Sequence, residues 1–78
     1  MSRKPVFEVT RETRYPDRSS CYRVERETPG GIYTYQIPRD IEGQLDLNGG
    51  MVGHRLSTLE RRCIRAAIER WMREWGQV

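Results

Sequence analysis

Hydrophobic and polar residues alternate with a period of two through the first half of the chain, and the period changes to about 3.6 near its end. Residues 6–15 place Phe7, Val9 and Tyr15 on one side and Glu8, Thr10, Glu12 and Arg14 on the other, the pattern of a half-buried strand. Pro16-Asp17-Arg18-Ser19-Ser20 then brings turn chemistry. Residues 21–27 alternate again, with Tyr22 and Val24 opposed to Arg23 and Glu25. Thr28-Pro29-Gly30-Gly31 is a second turn signal, because proline presets φ and glycine admits positive φ. Residues 32–37 read as a third strand with Tyr33, Tyr35 and Ile37 on one face, ended by Pro38. Two tight connections predict an antiparallel meander.

Residues 38–56 carry no sustained period. They read either as a loop or as a small hairpin in which Gln44–Leu47 and Met51–Val52 flank Asn48-Gly49-Gly50. An irregular stretch of this length in a compact domain often carries function. From residue 57 to 75 the spacing predicts one helix. Ser57-Thr58-Leu59-Glu60 is a capping box, in which the Ser57 hydroxyl accepts from the Glu60 amide and the Glu60 carboxylate reaches back. Cys63, Ile64, Ala67, Ile68, Trp71 and Trp75 fall on one face; Arg62, Arg65, Glu69 and Arg73 fall on the other. Glu69 with Arg73, and Arg70 with Glu74, have the four-residue spacing of helical ion pairs. Gly76 supplies a stop. A three-stranded sheet must bury one face, and this helix is the element available to cover it. The expected fold is a single α+β domain over residues 1–78.

Composition fits a folded chain. Hydrophobic residues are 36% and mean hydropathy is −0.84, but four tyrosines, two tryptophans and a phenylalanine can fill a core. The net charge of +3 sets 14 basic residues against 11 acidic ones, a mixed surface unlike the basic arm of a dedicated nucleic-acid binder. Every basic residue except Lys4 is arginine, a bias that GC-rich coding explains better than selection for carboxylate or phosphate binding does. The opening Met1-Ser2-Arg3-Lys4-Pro5 starts no apolar run, so neither a signal peptide nor a membrane span is expected. Cys21 and Cys63 are then expected as reduced thiols in the cytoplasm of a bacterial or phage-infected cell.

The candidate chemistry is sparse. His54 is the only histidine, and neither cysteine has the neighbours that activate a nucleophile or the paired spacing of a zinc site. No catalytic residue, cofactor or metal is expected, and the chain is not expected to be an enzyme. Asn48-Gly49-Gly50-Met51-Val52-Gly53 precedes a helix as a phosphate cradle would, but it lacks the G-x-G-x-x-G order and a following lysine, and reads as a turn. Trp71 and Trp75 are expected in the core, Trp75 the more exposed of the two. Arg55, Arg61 and Arg62 cluster at the helix start, where the macrodipole disfavours cations, and Arg65 and Arg73 extend them along the outer face. Cations held against local electrostatics point to an external anion, so these five form the expected partner-binding surface.

In size, mixed charge and arginine-rich coding the chain resembles the small phage-encoded proteins that include the anti-CRISPRs. That resemblance implies an inhibitor that binds a protein or nucleoprotein machine through a charged surface. In element order, three strands and then a helix over roughly residues 6–76, it also resembles the plant AP2 and integrase arm-binding domains, whose sheet enters the DNA major groove. The face away from the expected core would carry Glu8, Glu12 and Glu25 beside Arg14 and Arg23, and acids there repel phosphate. DNA binding is therefore the alternative reading.

Overall fold

A computed structural model describes residues 6–47 and 56–75. Strands β1 (Phe7–Arg14), β2 (Ser20–Thr28) and β3 (Gly31–Arg39) form an antiparallel sheet in the order β1-β2-β3, and helix α1 (Thr58–Trp75) follows. The α+β meander and helix expected from the periodicity are both present. The core lies between one sheet face and α1. Phe7 and Val9 from β1, Tyr22 and Val24 from β2, and Tyr35 and Ile37 from β3 meet Ile64, Ala67 and Ile68. Cys63, Trp71 and Met72 pack against this cluster as partly buried neighbours.

One expectation about faces fails in β1. The register shifts between Val9 and Arg11, so Glu12 pairs with Tyr22 and Arg14 with Ser20. Tyr22 and Ser20 are both buried on the helix side. An extra residue inverts the alternation beyond it, so Glu12 and Arg14 stand on the core face and not on the open one. Tyr15 leaves the strand altogether and is exposed. Its amide bonds to the Ser19 carbonyl at 2.9 Å, and Asp17 closes the turn by accepting from the Ser19 amide at 2.9 Å.

The third strand also runs past its expected end. Pro38 pairs with Cys21 inside β3, and the strand continues to Arg39. β3 is an edge strand, where a residue without an N–H can be accommodated. Tyr33 is 54% exposed, unlike Tyr35 and Ile37, and pairs with Arg26 towards the turn end of the edge strand. After β3 the chain reverses at once. The Asp40 carboxylate accepts from the amides of Glu42 and Gln44, Gly43 takes φ +87°, and Arg39 bridges Leu45. This reversal at 40–44 delivers Leu47 to the core, where Leu56 joins it. The hairpin expected around Asn48-Gly49-Gly50, and the Gly76 stop, lie outside the described residues.

The capping box forms as expected. The Ser57 amide donates to Glu60 Oε1 at 2.9 Å and the Glu60 amide to Ser57 Oγ at 3.1 Å. The other Glu60 oxygen takes Arg26 from β2 at 3.0 Å, and the Arg26 guanidinium lies over the Phe7 ring. One carboxylate thus caps the helix and ties it to the sheet.

Candidate functional site: the arginines of the helix

The early turns of α1 bring together three of the five arginines singled out from the sequence. Arg61, Arg62 and Arg65, with Thr58, surround a shallow depression of about 400 Å³ whose remaining wall is Leu45 and Leu47. The spacing of three and four residues places them there, and the reversal after β3 supplies the apolar wall. Arg73 is exposed in the last turn of the helix and is not part of this depression. Arg55 lies outside the described residues, as do His54 and the Asn48–Gly53 segment.

Three of the sheet's arginines are held by carboxylates, while Arg11 and Arg39 of the same sheet have no ion pair among the described residues. Arg14 pairs with Glu12 at 2.9 Å, Arg23 with Glu25 at 3.4 Å and Arg26 with Glu60 at 3.0 Å. Arg61 has only a 3.4 Å bond to the Thr58 hydroxyl. Among the described residues no carboxylate pairs with Arg61, Arg62, Arg65 or Arg73, and the Glu69–Arg73 and Arg70–Glu74 spacings do not close into ion pairs. Arg61 and Arg62 also sit just beyond the first turn, near the positive end of the helix dipole. The cluster is therefore cationic, with Arg62 and Arg65 exposed and Arg61 half-buried, and no described carboxylate neutralises it.

A second polar group stands at the other end of the helix, and sequence reasoning missed it. Trp71 Nε1 donates to Glu12 Oε1 at 2.8 Å while Arg14 Nε donates to Oε2 at 2.9 Å. Burial pushes the Glu12 carboxyl up, but those two hydrogen bonds, with the charges of Arg14 and Arg39, outweigh it and hold the group below its usual range. Arg39 lies over the Tyr22 ring and donates to Met72 Sδ at 2.9 Å. The Tyr22 hydroxyl is buried with no hydrogen-bond partner among the described residues, and burial pushes its phenol up. These groups brace the helix against the sheet; none of them opens onto the arginine depression.

The open sheet face is mixed, with Glu8, Glu25 and Arg23 on it as expected and Arg11 there in place of Glu12 and Arg14. Glu8 stands opposite Glu25 and Arg11 opposite Arg23. Such like-charged neighbours weaken a ladder, and the Arg23–Glu25 ion pair offsets them. Cys21 lies on this face with its thiol bonded to Gln36 Oε1 at 3.4 Å, and burial pushes that thiol up. Both Cys21 and Cys63 are free thiols. Among the described residues no group of His, Cys, Asp or Glu could hold a metal ion, and no helix is long and apolar enough to cross a membrane. Comparisons with protein-family models, curated proteins and solved structures give no match.

Proposed function

We propose that this domain is a binding protein whose helix docks, through Arg61, Arg62 and Arg65, on an acidic surface of a protein or nucleoprotein machine, as an inhibitor of the anti-CRISPR type would. The observation that carries the reading is the gathering of three arginines without a described carboxylate partner around one depression; Arg11, Arg18, Arg39 and Arg70 also lack an ion pair but do not line it. The described sheet and helix hold carboxylates close to Arg14, Arg23 and Arg26, and leave Arg61, Arg62 and Arg65 without one. Guanidinium forks suit carboxylates bidentately, and Leu45 and Leu47 offer an apolar contact between them. An acidic peptide surface with a hydrophobic residue at its centre matches this chemistry.

The test is capture from lysate with and without nuclease, comparing the native chain with Arg61→Glu/Arg65→Glu. A partner retained after nuclease and lost with the double reversal supports the reading. A partner indifferent to the reversal removes this surface as the site. Retention abolished by nuclease, with a steep salt dependence in a gel shift on random duplex DNA, would replace it with binding through the sheet.

A further inference from the structure

We infer that the groove between β1 and α1 is an interface for a second copy of this chain, packed about a two-fold axis. Two depressions, each about 430 Å³, lie along this side of the helix. Both are lined by Phe7, Ala67 and Arg70, so they form one continuous groove. One end is apolar with a cation on its rim: Val6, Leu59, Cys63 and Ala66, with Arg62. The other end is aromatic and acidic: Trp71 and Trp75, with Glu8 and Glu74.

The two ends complement each other and cannot meet within one chain. Arg62 and Glu74 are twelve residues apart on one straight helix, about 18 Å along its axis. Val6 at one end is 78% exposed and Trp75 at the other is 59% exposed. In a two-fold arrangement every contact occurs twice with the partners exchanged. Antiparallel apposition of two grooves sets the Trp75 indole of each chain on the Val6/Leu59/Cys63/Ala66 depression of the other. The same operation brings Arg62 of each chain to Glu74 of its mate. The small side chains of Cys63, Ala66 and Ala67 allow the helices to approach, and β1 contributes an edge strand to the seam. The Arg70 heads oppose association, since both lie toward the middle of the groove. Their length lets them turn to water over the apolar wall.

The experiment is sedimentation equilibrium of the full chain over a concentration series, with Arg62→Glu and Glu74→Arg prepared separately. The native chain is expected to dimerise reversibly. Each reversal places like charges together at both symmetric contacts and should weaken the dimer about tenfold or more. An equimolar mixture of the two variants should restore it as a heterodimer. At one contact the introduced carboxylate then meets the introduced guanidinium, and at the other the native Arg62 of one chain meets the native Glu74 of its mate. Trp75→Ala should weaken the dimer with an unchanged melting temperature for the dilute monomer. A native chain that stays monomeric throughout, a dimer indifferent to both reversals, or a mixture no tighter than its components would each overturn the inference. Arg62 also belongs to the proposed partner surface, but Glu74 and Trp75 do not, and sedimentation of the pure chain reads no third protein. The Arg61→Glu/Arg65→Glu chain should dimerise normally, which keeps the two interfaces separable.

Discussion

Trp71 Nε1 and the Glu12 carboxylate are joined by a 2.8 Å hydrogen bond that spans from helix to sheet. The Glu12 side chain is 9% exposed, so its charge is held mainly by this indole and by Arg14. A charge-assisted bond of this kind contributes about 1.5–3 kcal/mol. Trp71→Phe keeps most of the packing but removes the donor, and should cost about 2 kcal/mol. Trp71→Ala also loses the ring and should cost about 3–5 kcal/mol, enough to unfold a marginal domain. Thermal melts of the two variants check the ordering; equal losses would show that the bond contributes nothing beyond the ring.

The same carboxylate sets an acid limit. The Glu12 carboxyl is held below its ordinary value of 4.5, so the unfolded chain binds the proton more tightly than the folded one. Its contribution to stability is therefore complete above about pH 4.5 and is lost as pH falls through the lower folded value. Asp17, held low by the Ser19 hydroxyl and amide, titrates in the same sense. Glu12→Gln should be less stable than the native chain at neutral pH and should lose less on acidification, so the two melting curves converge. Parallel curves would remove Glu12 from the acid transition.

That pairing shows where the sequence stops being informative. The strands and the helix were legible because Phe7, Val9, Tyr22, Val24, Tyr35 and Ile37 keep the period of two, and Ile64, Ala67, Ile68 and Trp71 that of the helix. Residues 10–14 of β1 are all polar, so nothing in them fixes which side faces inward once the register shifts. The capping box was legible, but its second partner Arg26 was not, since that contact joins residues 34 positions apart. The convergence of Arg61, Arg62 and Arg65 follows from helical spacing alone. Their Leu45/Leu47 wall depends on the reversal that Asp40 builds, and no periodicity announces it.

Tyr22 offers a stability gain. Its hydroxyl is fully buried and has no hydrogen-bond partner among the described residues, so folding strips it of water without compensation from them. Tyr22→Phe removes the group and keeps the ring under Arg39, and should stabilise by about 1 kcal/mol. A lower melting temperature would mean that the hydroxyl has a partner in solution.

Glu60 should be more costly to remove than Ser57, its partner in the capping box. Ser57→Ala loses one cap bond, worth about 1 kcal/mol. Glu60→Ala loses the reciprocal bond and also leaves the part-buried Arg26 without its carboxylate. In an Arg26→Ala background the difference between the two alanine variants should shrink, because the ion pair no longer contributes. A double-mutant cycle showing no coupling between Arg26 and Glu60 would contradict this.

The arginines near the helix start give the sharpest separation between folding and binding. Arg61 and Arg62 sit close to the positive end of the dipole, and no described carboxylate pairs with either. A residue retained for stability would lower it when replaced. Here the helix field favours the opposite charge, so Arg61→Glu and Arg62→Glu should each leave stability unchanged or raise it by up to about 0.5 kcal/mol. The same changes should weaken capture of an acidic partner, and the loss should shrink as salt screens the native contacts. Melting is to be measured at dilutions where the chain is monomeric, so that dimerisation does not enter. Stability and binding moving in opposite directions is the signature of a surface kept for an external anion. A fall in melting temperature for both variants would instead make these guanidiniums part of what holds the helix in place, and the proposed partner surface would lose its foundation.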